Sequence, residues 1–179
     1  KLIAKTLGEE DKGNLMIAKM DDKLAEIKEK VDNIKPEQRK KLVLISLMTS
    51  YGGKGCTFDD ICQYAGVING VSDAGLHNGQ LLTKEMLVDI NPDLLIMPVY
   101  NDHKTFDIEK YNKEFLEDPA LQTLNAVKEK RFFYPREGYI YNSSQDIVFG
   151  VQEVARAAYG SLFDQPENCY ISVVAEVEK

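Results

Sequence analysis

A polar, glycine-rich segment at residues 49–56 carries the residue types best suited to binding a ligand. It follows an apolar run, 42–47, that predicts a buried strand, and it leads directly into a helix start. Free backbone N–H groups and small residues at such a junction let a ligand come close to the chain. The sequence therefore predicts a ligand site here, and the residues that we assign to it are Tyr51, Gly52, Gly53 and Lys54.

These four residues offer different chemistry. The phenol of Tyr51 can stack on a planar macrocycle, coordinate iron as a phenolate or pack on its own loop. Lys54 can meet an anionic ligand or stay solvated, and Gly52 and Gly53 permit a close approach to the backbone. The run 52–57 superficially resembles a phosphate-binding loop, but glycine follows the lysine where serine or threonine is required. This spacing argues against nucleotide binding.

Two more polar loops follow short apolar runs, at 94–97 and 132–134, which we also predict to be buried strands. Ligands of open parallel sheets bind beyond the carboxyl ends of the strands, so we expect the three loops to meet at one edge. An aromatic and basic rim at that edge suits a large, partly anionic metal chelate. The further ligand contacts that we predict are His77, Tyr100, His103, Arg136, Tyr139 and Tyr141.

Composition excludes several classes of function. The net charge of −7 argues against nucleic-acid binding, because no basic stripe can neutralise phosphates. No apolar run is long enough to span a membrane. The three cysteines are too few for a disulfide framework, and no metal-ligand or nucleophile–base set has convincing spacing. The chain opens on Lys1 without an initiator Met, which we interpret as a mature or truncated product.

The pattern of elements predicts an α/β protein. Apolar residues at helical spacing indicate a long amphipathic helix that ends near Asn33, and helices then alternate with the apolar runs. We therefore expect a three-layer α/β/α sandwich with a small, mostly parallel sheet. Alternation at 170–177 predicts an extra strand. The predicted divisions are a long helix region, 1–35, an α/β unit, 36–162, and a tail, 163–179.

Several segments, in the same order, resemble one family. They are Thr57-Phe58-Asp59-Asp60-Ile61, Ala65-Gly66-Val67-Ile68-Asn69, the run 83–96 with its Asn91-Pro92-Asp93, the run 118–128 with its Asp118-Pro119, and Arg131-Phe132-Phe133-Tyr134. Over roughly residues 2–162 the chain is similar to the C-terminal lobe of extracytoplasmic substrate-binding proteins. Those proteins serve ABC importers of ferric siderophores, haem and corrinoids. The tail after Leu162 is longer than the family usually has.

The resemblance implies a function. The long helix would be the rigid connector between two lobes, and an iron or cobalt chelate would bind in the cleft between them, without catalysis or a cofactor. Its partners would be the chelate, an N-terminal lobe that this chain lacks and an ABC transporter permease, in the periplasm or on a lipid anchor at the outer face of the membrane. Glu85 is the nearest acidic candidate for docking to the permease, although a helix-start residue of this kind also interacts with the helix dipole.

An enzyme is the alternative that the residues leave open. A small α/β domain could use the loop Gly52–Gly55 in a nucleotide- or phosphate-dependent transferase. Such a reaction needs a carboxylate and a base near Gly53. Asp59 and Asp60 are the nearest acids, but both sit where acidic residues stabilise a helix start.

Overall fold

The computed structural model describes residues 1–99, 106–141 and 143–174. Its helices in chain order are α1 (Leu2–Leu7), α2 (Glu10–Val31), α3 (Thr57–Tyr64), α4 (Gly70–Asp73), α5 (Lys84–Ile90), α6 (Ile108–Glu117), α7 (Asn125–Lys128), α8 (Glu137–Ile140) and α9 (Ile147–Tyr159). Its strands are β1 (Lys41–Leu44), β2 (Ile68–Asn69), β3 (Leu94–Ile96) and β4 (Phe132–Phe133). Short 3-10 turns lie at Pro36–Gln38, Pro119–Thr123 and Gly160–Phe163. No helix in these ranges has the length and apolarity needed to cross a bilayer.

The strands form one parallel sheet in the order β2-β1-β3-β4. Successive residues of β1 point to opposite faces, so Leu42 and Leu44 join a core with α2, α3 and α9. Val43 joins a second core, formed with α4, α5 and the turn at Pro119–Thr123. Burial on both faces explains why this strand reads as a continuous apolar run. The predicted three-layer α/β/α sandwich is therefore confirmed.

The long amphipathic helix is also confirmed. α2 has 22 residues, with acidic Glu10 and Asp11 in its first turn and lysines in its last, which complements the helix dipole. α1 ends at Gly8, which adopts the left-handed conformation. This turn lets α1 pack against α2. Only Ile27 and Val31 of α2 are buried, so the sheet anchors this helix near its C-terminal end.

Other expectations were incomplete. The sequence indicated no strand at β2, because two residues cannot display a period. Two segments predicted as loops, 71–80 and 135–144, contain the short helices α4 and α8. The alternating segment 170–177 forms no strand over its described part, 170–174, and its other residues lie outside the described ranges. The divisions at residues 35 and 162 stay predictions.

We predict that Gly150→Ala destabilises the chain. A Cβ at Gly150 would lie 2.3 Å from the carbonyl oxygen of Tyr139, where α9 crosses α8, so backbone would have to move. The expected loss is about 1–3 kcal/mol in the free energy of unfolding, measured with urea, although alanine favours a helix over glycine by about 1 kcal/mol.

The comparison is Ala157→Gly in the same helix, which should cost about 1–2 kcal/mol through helix propensity and the loss of one partly buried methyl group. A Gly150→Ala variant that is more stable than the parent chain would contradict the close packing of α8 on α9.

Candidate ligand-binding site

The loops that follow β1, β3 and β4 emerge at one edge of the sheet because all the strands are parallel. The described parts of this carboxyl edge are residues 45–56, 97–99 and 134–136, together with residues 76–82, which contact the first loop. The expected convergence of polar loops is thus observed for the described residues. Tyr100 and His103 lie outside those residues, so their predicted contacts stay predictions.

The glycine-rich loop is hydrogen-bonded along its length to residues 76–82. Lys54 donates its backbone N–H to the carbonyl of Leu76 (2.9 Å) and accepts one from Asn78 (3.0 Å). Gly79 donates to Ser50 (2.8 Å), and Leu82 donates to Thr49 (3.1 Å). These four bonds hold the two segments together as one platform, which brings Lys54 beside His77. Contact of either side chain with a ligand stays a prediction.

Gly53 explains how the two segments come so close. A Cβ at this position would lie 2.6 Å from the carbonyl carbon of His77 and 2.7 Å from the carbonyl oxygen of Leu76. The close backbone approach that we expected for a ligand is therefore made by the chain itself at Gly53. Gly52 is likewise buried, whereas Gly55 is exposed. Contact of Gly52 or Gly53 with a ligand stays a prediction.

A buried amide, which the sequence did not reveal, holds the loop from below. Asn69, at the end of β2, donates from Nδ2 to the carbonyl of Gly52 (2.8 Å) and to Oδ1 of Asp59 (2.9 Å). Oδ2 of Asp59 accepts the N–H of Gly55 (3.2 Å), and Oδ1 of Asn69 accepts that of Val71 (3.2 Å). The exposed fractions of Asn69 and Asp59 are only 5% and 6%. The Asn69–Asp59 pair therefore fixes both ends of the glycine turn.

Tyr51 is half-buried and packs against the core on the α9 side of the sheet. It also lines a crevice of about 50 Å³ between the first loop and α5 and α6, with Tyr111 and Phe115 on the far wall. Burial raises the pKa of Tyr51, as does the nearby Cys56, and burial raises the pKa of Tyr111. Burial therefore disfavours the phenolate form of both side chains in the absence of a metal ion.

The basic side chains at the carboxyl edge differ in whether other groups of the chain already bind them. Lys84 donates a hydrogen bond to Asp118, which raises the pKa of the ammonium group and lowers that of the carboxyl. Arg136 donates from a guanidinium nitrogen to Oδ1 of Asn168 (2.9 Å) and lies 5.4 Å from the ring centroid of Tyr139. Lys54 and His77 are exposed. Arg136 is therefore already engaged by the chain's own tail.

The tyrosines of the third loop are also packed. The hydroxyl of Tyr139 donates to the carbonyl of Cys169 (2.5 Å), and its ring packs on Phe149. Tyr141 is partly buried against the same core. These contacts are structural, and a ligand contact by the Tyr139 hydroxyl would require its bond to the tail to break. Their predicted roles stay predictions.

A larger groove lies on the other side of α6. It has a volume of about 680 Å³ and is lined by Pro98 and Val99 after β3, by Tyr134 after β4, and by Asn112 and its neighbours on α6. Asn112 donates from Nδ2 to the carbonyl of Pro98 (2.9 Å) and so ties α6 to the end of β3. The sequence did not indicate this groove, because it depends on how α6 packs.

Metal ligation finds no support in the described residues. They contain no group of three His, Cys, Asp or Glu side chains that could hold a metal ion. Glu85 is exposed in the first turn of α5, where hydrogen bonds from its own backbone N–H and from Thr83 lower the pKa of its carboxyl. This geometry is that of a helix-start residue, and docking by Glu85 stays a prediction.

We predict that Asp59→Ala destabilises the chain far more than Asp60→Ala. Removing Asp59 leaves one N–H of the buried Asn69 amide without its acceptor and also removes the acceptor of the Gly55 N–H, which should cost about 2–3 kcal/mol in unfolding free energy. Asp60 is the exposed neighbour on the same helix, so its loss should cost under about 0.5 kcal/mol. Equal costs in urea unfolding would contradict the role of the Asn69–Asp59 pair.

Three solved structures with similar folds are each longer than this chain. The periplasmic haem-binding protein RhuT from Roseiflexus sp. RS-1 matches with a TM-score of 0.73 at 19% identity, over 88% of this chain and 59% of that one. A periplasmic binding protein from Veillonella parvula matches with a TM-score of 0.72 at 22% identity, over 88% of this chain and 53% of that one. FeuA from Bacillus subtilis is a triscatecholate siderophore-binding protein that was solved in complex with ferri-bacillibactin. It matches with a TM-score of 0.66 at 20% identity, over 84% of this chain and 54% of that one.

Sequence comparison gives the family. A search of curated proteins found no match. The sequence model described as "Periplasmic binding protein" matches residues 1–137, which include α2, the glycine-rich loop and the sheet. The chain belongs to the periplasmic binding protein family.

Proposed function

We propose that the chain is the C-terminal lobe of the solute-binding component of an ABC importer. Its carboxyl edge would form one wall of a cleft that binds an iron or cobalt chelate: a ferric siderophore, haem or a corrinoid. The observation that carries this proposal is the platform of residues 45–56 and 76–82 at that edge, in a chain that belongs to the family. RhuT is described as haem-binding, and FeuA was solved with ferri-bacillibactin, which supports a metal chelate.

The opposite wall of the cleft would come from a second lobe. The similar solved structures are longer, since this chain spans 59% of RhuT and 53% of the Veillonella protein. α2 would connect the lobes, as a continuous helix of 22 residues that is anchored in this lobe at Ile27 and Val31. The complete protein would work outside the cytoplasm, in the periplasm or on a lipid anchor, and would deliver its ligand to a permease. Glu85 is the acidic residue that we propose for that docking.

The surface of the platform fits a chelate with apolar parts. Met48 is 67% exposed, and Leu47 and Leu81 are exposed beside it on the same pair of segments. Exposed apolar side chains at a hydrogen-bonded platform are typical of a surface that is covered by a ligand or partner. Lys54 and His77 add polar contacts at the margin of the platform. The combination favours a large ligand that is partly apolar and partly anionic.

Transferase chemistry, the alternative function, loses its main support in the structure. Both carboxylate oxygens of Asp59 accept hydrogen bonds that fix the glycine loop, so this group positions backbone instead of abstracting a proton. Asp60 is exposed on α3. The spacing after Lys54 also departs from a phosphate-binding loop. We therefore propose binding and delivery, with no chemical step.

The first test is an absorbance titration of the protein encoded by the complete reading frame with haem, a corrinoid and a ferric catecholate siderophore. We expect one of the three to change its spectrum on binding with a dissociation constant in or below the micromolar range, about −8 kcal/mol or stronger. The isolated 179-residue chain should bind the same compound at least about a hundredfold more weakly, because half the cleft is absent. No spectral change with any of the three would contradict the proposed ligand class.

The second test separates the roles of Tyr51. The ring of Tyr51 lines the crevice at the first loop, and we propose that it stacks on the chelate. Tyr51→Phe should then keep the affinity of the complete protein for the chelate within about twofold, whereas Tyr51→Ala should weaken it about tenfold. Tyr64→Ala is the control, because Tyr64 is exposed at the far end of α3. A tenfold loss in Tyr51→Phe would show that the hydroxyl itself is needed and would contradict stacking.

A further inference from the structure

The tail after α9 runs back along the protein instead of leaving it. We name residues 163–174 the strap. Gln152 donates to the carbonyl of Phe163 (3.1 Å), and Gln165 donates to that of Phe149 (3.2 Å). The N–H of Ile171 donates to Asp146, the residue that precedes α9 (2.8 Å). As the strap advances along the chain, its partners have successively lower residue numbers. The strap therefore runs antiparallel to α9 and ends beside the start of that helix.

The strap also contacts α8 and the residues that precede it. Asn168 accepts a hydrogen bond from Arg136, and the carbonyl of Cys169 accepts one from Tyr139. Phe163, Ile171 and Val173 are buried, at 0%, 8% and 8% exposure. A segment with little regular secondary structure that buries three large apolar residues and is hydrogen-bonded at several points is docked on the fold.

The far side of the strap meets α2. Nζ of Lys19 donates to the carbonyl of Ser172 at 2.9 Å, a contact between residues 153 positions apart. Lys23, one turn further along α2, lies 6.0 Å from the ring centroid of Phe149 on α9. The strap thus joins the middle of α2 to the beginning of α9.

The outer half of α2 depends on such contacts. Its only buried residues, Ile27 and Val31, lie in its last two turns, so residues 10–22 have no side chain in the core. A helix that is anchored at one end can tilt about that end, and a second contact some way along it removes this freedom. Lys19 lies eight residues before Ile27, about 12 Å along the helix axis.

We infer that the strap fixes the angle at which α2 leaves this lobe. The strap contacts both α2 and α9, and the bond from Lys19 to the backbone of the docked strap holds the outer half of the helix in place. Where α2 connects two lobes, which rests on the proposed function, the strap then limits how far the second lobe can swing. The holding of α2 itself does not depend on any ligand.

Hydrogen exchange of the 179-residue chain, followed by mass spectrometry, tests this inference. Val173→Asp places a charge at a buried position of the strap, and its matched control is Val174→Asp at the adjacent position, which is 64% exposed. We expect Val173→Asp to speed exchange of the amides at 14–24 about tenfold, while those of α9 and of β1 stay within about twofold of the parent chain. Val174→Asp should leave all of these regions unchanged.

Lys19→Met provides a milder variant that removes the bond to Ser172 and leaves the buried residues of the strap unchanged. It should speed exchange at 14–24 in the same direction by a smaller factor, with Lys28→Met as the control at an exposed lysine of the same helix. Unchanged exchange in α2 for both Val173→Asp and Lys19→Met would overturn the inference, as would a uniform rise that includes β1. Because no ligand is present, either result leaves the proposed chelate binding to be decided by its own titration.

Discussion

The side-chain amide of Asn69 is the interaction on which the candidate site depends. It lies at the end of β2 and joins three elements: the glycine turn through the carbonyl of Gly52, helix α3 through Asp59, and helix α4 through the N–H of Val71. Leaving one of these groups unpaired in so buried a place would cost about 1–3 kcal/mol. The loop therefore has one favoured position relative to the sheet, which is a requirement for a wall that a ligand meets preformed.

The parallel sheet supplies the second constraint. Its strands are buried on both faces by helices, so polar loops can emerge only at the strand ends, and those that follow β1, β3 and β4 share one edge. Residues 76–82 are added to that edge by backbone hydrogen bonds to the glycine-rich loop. The tail packs on another side of the fold, where it accepts hydrogen bonds from Arg136 and Tyr139 and from Lys19 of α2. Rigid loops and a held α2 are what the proposed two-lobe protein would need if α2 connects its lobes.

The sequence predicted those features whose signals are local. The apolar runs at β1 and β3, the helical period of α2 and the convergence of loops all follow from short-range patterns and the rules of parallel sheets. The role of Asn69 in holding the glycine turn could not be predicted, because Asp59 and Gly52, to which its amide donates, lie 10 and 17 positions away. Arg136 and Tyr139 were expected to face a ligand, but a tail 30 or more positions further on binds both. A contact between distant segments leaves no periodic trace in the chain.

The most direct test of the central claim is paramagnetic relaxation in the complete protein, isotopically labelled and bound to haem or to a ferric catecholate siderophore. A high-spin ferric centre broadens the amide resonances of nearby residues. The account predicts strong broadening at 46–56 and 76–82, at the carboxyl edge, and little at 128–131, which precede β4 at the opposite edge. Broadening confined to other surfaces, with 46–56 unaffected, would contradict the assignment of the platform as a wall of the binding cleft.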